Sequence, residues 1–208
     1  MTKVKICGLT RLQDIENANV LKPDYIGFVF APSRRQVTPE QALELRKILH
    51  PDIIPVGVFV DEPHSNIFSL VRDGVIEVIQ LHGSENEEYI EELKSMTNKK
   101  IIKAIAVQSK DDIENWTQSA ADYLLLDHKG GGTGQVFDWD LIEDGEVGKP
   151  YFLAGGLNSE NITEAIKKTE PFAVDVSSGV EIDGVKDAVK IKEFVRRVKD
   201  VRRTKDGC

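Results

Sequence analysis

Eight short apolar runs, separated by polar or amphipathic stretches, constrain this sequence more than any other feature. They lie at residues 4–7, 24–30 (DYIGFVF), 53–60 (IIPVGVFV), 75–81, 101–107 (IIKAIAV), 123–126 (YLLL), 151–154 (YFLA) and 172–176 (FAVDV). They are rich in Val, Ile and Phe and mostly continuous rather than alternating, the pattern of parallel strands covered on the outside by helices. Helical patterns fill most of the gaps. Ala42, Leu45, Ile48 and Leu49 share one face after Pro39, a first-turn proline. Ile67, Leu70 and Val71 share another, and Tyr89, Ile90, Leu93 and Met96 a third behind an acidic first turn. Ile162, Ala165 and Ile166 follow Asn158 and Ser159, which read as capping residues, and Ala188, Ile191, Val195 and Val198 form the last helix. Between the sixth and seventh runs only 138–144 reads as a short helix. Strand–helix alternation gives a parallel α/β protein, and right-handed crossovers leave a closed barrel or an open doubly wound sheet. Eight evenly spaced strands favour the barrel, a single (β/α)8 domain over residues 1–208 whose end is expected to fray from about residue 200.

The charge balance narrows the partners. A net charge of -8 argues against nucleic acid as a partner, since binding the phosphate backbone calls for an excess of Lys and Arg on one face. An acidic chain still binds an anionic metabolite if its pocket is locally positive. Two cysteines without metal or disulfide spacing suit a reducing cytoplasm. The opening MTKVKICGLT does not read as a signal peptide, and no run is long enough to cross a membrane.

In a barrel of this kind the active site is built at the C-terminal ends of the strands. Position alone then nominates Cys7-Gly8, Arg34-Arg35, Asp61, His82-Gly83, Gln108, Asp127, Gly155-Gly156 and Ser177-Ser178-Gly179. The two Gly/Ser turns after the seventh and eighth strands, Gly155-Gly156 and Ser177-Ser178-Gly179, suit a phosphate, because glycines let backbone N–H groups converge on a dianion and serine hydroxyls add donors. An arginine at 34 or 35 can fork a carboxylate or remain a solvated loop charge. Cys7 is either a thiolate base or a small buried hydrophobe. Asp127, a charge closing an apolar strand, is either a general acid with a raised pKa or a loop cap. His82 contacts an aromatic ring or a carboxylate, or caps the fourth strand. The glycine-rich stretch 129–134 is a loop that closes over substrate or a plain connection. No His/Asp/Glu cluster has metal-ligand spacing, and no nucleotide fingerprint is present, so neither metal nor cofactor is expected.

Together these motifs resemble one family. KICGLT at 5–10, GFVF at 27–30, SRR at 33–35, VGVFV at 56–60, QLHG at 80–83, LLLD at 124–127, GTGQVFDW at 132–139, AGGLN at 154–158 and DVSSGVE at 175–181 follow the pattern of phosphoribosylanthranilate isomerases, in order, from residue 3 to about 195. The resemblance implies a cofactor-free Amadori rearrangement of N-(5-phosphoribosyl)anthranilate to 1-(2-carboxyphenylamino)-1-deoxyribulose 5-phosphate in tryptophan biosynthesis. It implies Cys7 as general base and Asp127 as general acid. It implies an arginine on the anthranilate carboxylate, with Arg35 fitting best and Arg34 left open. Asp175 either reaches the sugar hydroxyls or orders its loop. Such chemistry requires Asp127 to enter protonated and Cys7 to enter as a thiolate. Other readings are an indole-glycerol-phosphate synthase-like or ribulose-phosphate epimerase-like enzyme, or a non-catalytic phosphometabolite sensor. The first lacks its lysine motif and the second its metal-binding His and Asp residues. The expected oligomeric state is monomer or homodimer.

Overall fold

In the computed structural model, which describes residues 1–128, 138–142 and 147–206, eight parallel strands close into a barrel in sequence order. They are β1 (Lys3–Cys7), β2 (Tyr25–Val29), β3 (Ile54–Phe59), β4 (Val78–Leu81), β5 (Lys100–Val107), β6 (Tyr123–His128), β7 (Tyr151–Leu153) and β8 (Ala173–Val176). Closure is made by β1 against β8, with Lys5 opposite Asp175 and Ile6 opposite Val176. The outer helices are α1 (Leu12–Leu21), α2 (Pro39–Ile48), α3 (His64–Arg72), α4 (Glu87–Met96), α5 (Lys110–Glu114), α6 (Ile162–Thr169) and α7 (Ala188–Asp206). A two-stranded hairpin, β9 (Glu181–Ile182) with β10 (Val185–Lys186), joins β8 to α7.

The period-two geometry of a strand sends successive side chains to opposite faces, and the burial divides accordingly. Val4, Ile6, Ile26, Phe28, Ile79, Leu81, Leu124 and Leu126 join the large core between barrel and helices. Tyr25, Val56, Val78, Ile102, Leu125, Phe152 and Ala173 form a second cluster inside the barrel. Aromatic rings close its N-terminal end: Tyr25 and Tyr123 meet Phe152 edge-on at 5.5 and 5.6 Å, and Tyr123 stacks on Phe172 at 5.0 Å. With that end plugged, the room left inside the barrel lies toward the C-terminal ends of its strands.

Two helices depart from the sequence pattern. In α1 only Asp14, Ile15 and Ala18 are buried while Leu12 and Val20 face outward, so no apolar stripe marks it. Its start is fixed by Asp14, whose carboxylate accepts from the Thr10 and Arg11 amides and from the Arg11 guanidinium. The five-residue α5 buries Ile113 alone. Asn158 and Ser159 do not cap α6, which begins at Ile162 behind Asn161. Asn158 instead accepts from the Glu160 and Asn161 amides and turns the chain out of the Gly155-Gly156 loop. The expected helix over 138–144 is a single 3-10 turn, Trp139–Leu141, with residues 143–146 outside the described set. The last helix keeps its backbone helical into the segment expected to fray, anchored by buried Val198 and Val201. No helix among the described residues is long and apolar enough to cross a membrane.

Candidate active site

The C-terminal strand ends surround a cavity of about 380 Å³. Cys7, Arg35, His82, Asp127, Gly155, Gly156, Asp175, Ser177 and Ser178, nine of the residues singled out from position and motif, line it. Gly179 stands behind the lining. A Cβ at this position would meet the Leu157 carbonyl oxygen at 2.0 Å, so glycine lets the loop after β8 lie directly on the loop after β7. Gly155 and Gly156 both adopt left-handed φ, 79° and 62°. Asn161 holds their loop by donating to the Gly156 carbonyl at 3.0 Å. The loops after β7 and β8 thus form one braced, glycine-rich wall with Ser177 and Ser178 at its rim.

Asp61 and Gln108 are among the positional candidates that fall outside the cavity. Asp61 accepts from the Ser84 amide and hydroxyl and orders the turn after β4, while Gln108 belongs to the start of α5, its amide bonded to Asp112. The stretch 129–134, most of the GTGQVFDW motif and Cys208 lie outside the described residues.

Cys7 ends β1 with its side chain inward. A Cβ on Gly27 would come 2.7 Å from the Cys7 sulfur, so the thiol occupies space that only a glycine on β2 leaves open. Burial pushes the thiol above its ordinary value of 9.0, with Asp175 adding to the push and Lys5 and Lys186 pulling the other way. Burial thus works against the thiolate that the chemistry calls for, and the two ammonium groups work for it. Across the cavity, burial pushes the Asp127 carboxyl above its ordinary 3.8, against the pull of His82 and of the His128 amide. Its Oδ1 accepts from that amide at 2.7 Å, and its Oδ2 lies 3.7 Å from His82 Nε2. His82 is itself pulled down by burial, so it is neutral near pH 7. Its Nδ1 lies 3.0 Å from the Gln80 side-chain amide.

The arginines separate clearly. Arg35 lines the cavity with its side chain 15% exposed, whereas the Arg34 side chain is 58% exposed and outside it. The fork of Arg35 is already engaged. Nε and Nη2 donate to the two oxygens of Glu181 at 2.7 and 2.8 Å. These bonds use the side edge of the guanidinium, and the Nη1/Nη2 end edge makes no hydrogen bond among the described residues. Glu181 also accepts from Lys186, which in turn donates to the Ser177 carbonyl at 3.0 Å. On the cavity floor the fully buried Lys5 ammonium meets Asp175 Oδ2 at 2.7 Å, while Asp175 Oδ1 and Gln80 Oε1 are buried without a hydrogen-bond partner among the described residues. Lys5, Arg35 and Lys186 thus bring three cations to this end of the barrel, each paired with a carboxylate, Asp175 or Glu181.

Sequence reasoning passed over Lys5, Gln80, Glu181 and Lys186 as site residues. For Lys5 and Gln80 a signal was present: each interrupts an apolar strand at a position whose parity matches an inward-facing neighbour. Glu181 and Lys186 lie on a hairpin that no periodicity announced.

Among the described residues, no group of three or more His, Cys, Asp or Glu side chains is placed to hold a metal ion. The arrangement pairs a carboxylic acid with a thiol across a cavity whose rim offers anion donors. That pairing suits proton transfer at adjacent atoms of a phosphorylated substrate.

Comparison with known proteins gives a consistent set of relatives. Residues 4–197 match the family model for N-(5'-phosphoribosyl)anthranilate isomerase. An N-(5'-phosphoribosyl)anthranilate isomerase of Thermoanaerobacter pseudethanolicus is 47% identical over 206 residues, covering 97% of this chain and 100% of the relative. A crystal structure of the Thermus thermophilus phosphoribosyl anthranilate isomerase superposes with a TM-score of 0.88 at 36% identity, over 97% of this chain and 100% of the other. A further crystal structure, of a phosphoribosyl anthranilate isomerase with reduced 1-(o-carboxyphenylamino)-1-deoxyribulose 5-phosphate, matches with a TM-score of 0.85 at 37% identity, over 96% and 100%.

Proposed function

Because this chain belongs to the N-(5'-phosphoribosyl)anthranilate isomerase family, we propose that its cavity performs the aldose–ketose isomerisation of tryptophan biosynthesis with Cys7 as general base and Asp127 as general acid. The observation that carries this reading is the pair itself: a carboxyl whose proton affinity burial raises and an ionisable thiol, both lining a single cavity. Protonated Asp127 donates to the furanose ring oxygen of N-(5'-phosphoribosyl)anthranilate as the ring opens to a Schiff base. The iminium acidifies the C2′ proton, which the Cys7 thiolate removes, and the resulting enolamine tautomerises to the ketone. The reaction is a redistribution of protons within one molecule, and its steps need only an acid, a base and the substrate's own nitrogen.

The remaining contacts follow from charge. The loops carrying Gly155, Gly156, Ser177, Ser178 and Gly179 receive the phosphate, whose dianion suits backbone N–H groups and hydroxyl donors. Asp175 Oδ1 accepts from a sugar hydroxyl, which relieves a buried oxygen that otherwise lacks a partner among the described residues. His82 sits beside Asp127 and contacts the aromatic portion of the substrate. The end edge of Arg35 takes the anthranilate carboxylate, while Glu181 holds the side edge and fixes the plane of the guanidinium. The protein works in the cytoplasm as a monomer or homodimer, and all these groups come from one chain.

Arg35→Met is expected to raise KM about 10- to 100-fold with a smaller change in kcat, since a charge-assisted bond contributes roughly 1.5–3 kcal/mol. Arg34→Met, at an exposed ion pair, should leave KM within about twofold. The decisive comparison uses N-phosphoribosylaniline, which lacks the carboxylate. An Arg35 variant that loses as much on this substrate as on the natural one excludes the carboxylate contact.

The pH dependence carries an unusual sign. The base, Cys7, sits above 9.0, and the acid, Asp127, rises from 3.8, so the group needed as base is the weaker acid of the two. The active combination, thiolate with carboxylic acid, is then a minor form whose population rises until Asp127 ionises, stays level, and falls once Cys7 ionises. A bell in kcat/KM results, with Asp127 setting its acidic limb and Cys7 its alkaline limb. Asp127→Asn removes one titration, so its residual kcat/KM climbs through the thiol's pKa and levels off. Retention of the alkaline fall in Asp127→Asn is the result that counts against this assignment.

A further inference from the structure

A cysteine that burial holds as a thiol needs a nearby positive charge to serve as a base at neutral pH. We propose that Lys5 is the positioning residue that favours the Cys7 thiolate as it forms, its ammonium paired with Asp175 at the cavity floor two residues before the sulfur on the same strand face. Lys5 and Cys7 are two residues apart on β1 and therefore project to the same, inward face. Register places Lys5 directly opposite Asp175 on β8, and the two side chains meet at 2.7 Å. Lys5 is 0% exposed and is not part of the cavity lining, so it acts on Cys7 from beneath and does not reach the substrate.

A purely space-filling role does not account for the choice of side chain. Inward positions on β3 to β6 carry Val56, Val78, Ile102 and Leu125. A buried ion pair there gains little over apolar side chains of the same volume. What distinguishes this pair is its imbalance. Asp175 offers Lys5 one oxygen and keeps the other without a partner among the described residues, leaving ammonium N–H groups for the sulfur. The electrostatics agree. Burial pulls the Lys5 ammonium down, but Asp175 and Cys7 outweigh it and hold the lysine charged. The other charged groups facing Cys7 are Lys186 from β10 and Arg35 from the loop after β2, each tied to Glu181. His82 and Asp127 share the cavity from β4 and β6. Lys5 is the cation whose neighbour on the same strand face is the thiol itself.

The inference rests on Cys7 being the base, and its test is independent of turnover. Alkylation of Cys7 by iodoacetamide in the intact protein is followed against pH by mass spectrometry of the Cys7 peptide, which keeps Cys208 out of the signal. Lys5→Met is expected to move the alkylation midpoint upward by about one pH unit or more, equivalent to a tenfold or greater loss of thiolate at neutral pH. Lys5→Arg should keep the midpoint near that of the unmodified protein. Asp175→Asn should move it downward, because the carboxylate that pushes the thiol up is then gone and the lysine charge is no longer divided. Opposite shifts from two partners of one ion pair are not the signature of a structural defect. An unchanged midpoint in folded Lys5→Met overturns the proposal. Should that variant not fold, Lys5→Gln decides, and an unchanged midpoint in it overturns the proposal equally. Should Cys7→Ala retain turnover, the base reading fails, while the Lys5-dependent shift in alkylation is judged by its own data.

Discussion

Cys7→Ala is expected to lower kcat about 10²- to 10⁴-fold, the range for losing a positioned general base, with KM nearly unchanged. The split between the two constants follows from where the sulfur sits. It lies at the end of β1 against Gly27, apart from the loops after β7 and β8 and from Arg35, the groups proposed to take the phosphate and the carboxylate. Removing the thiol leaves a small void beside a glycine, so the barrel should fold, with a stability loss of about 1 kcal/mol, the usual size for a point substitution. Cys7→Ser tests the same point with shape preserved, because a hydroxyl is a far weaker acid than a thiol and supplies almost no anion for the same work. Steady-state kinetics with intact circular dichroism is the check. Near-normal turnover in either variant removes Cys7 from the mechanism.

The second large effect belongs to Asp127. Asp127→Asn keeps the side-chain outline, and its carbonyl oxygen can still accept from the His128 amide that now bonds Oδ1 at 2.7 Å. What disappears is the proton that burial holds on the carboxyl at a pH where an exposed aspartate has lost it. The expected loss in kcat is again about 10²- to 10⁴-fold, with ring opening now limiting. The two variants separate by isotope effect. Deuterium at C2′ slows the unmodified enzyme if proton removal contributes to the rate, and the effect should shrink in Asp127→Asn, where ring opening precedes the labelled step. An isotope effect that grows in that variant assigns Asp127 to a step later than ring opening.

Most of the fold was legible because every barrel strand is buried on both faces. Continuous runs such as IIPVGVFV and IIKAIAV therefore carry the signal without periodicity analysis. The elements that were not legible share a cause: their burial is slight. The helix α1 buries two apolar side chains and is started by a buried carboxylate, and α5 is a single turn around Ile113. The site was legible to the extent that topology converts sequence position into place, since strand ends in a barrel face one mouth. That rule brought Cys7, His82 and Asp127 together from three different strand ends, and the DVSSGVE motif added Asp175. It also nominated Asp61 and Gln108, which order turns outside the cavity. It gave no access to ionisation, because the thiol's state depends on burial against the charges of Lys5, Asp175 and Lys186, and those come from three separate segments. The engagement of Arg35 by Glu181 was hidden for the same reason, as 146 residues separate the partners.

The most direct measurement follows anthranilate-type fluorescence after freshly generated phosphoribosylanthranilate is mixed with purified protein, with Cys7→Ala run beside it. The account predicts rapid decay with the unmodified protein and almost none with the variant. Folded, unmodified protein that leaves the fluorescence unchanged contradicts the isomerase reading and turns attention to a phosphometabolite sensor or another sugar-phosphate reaction on the same barrel.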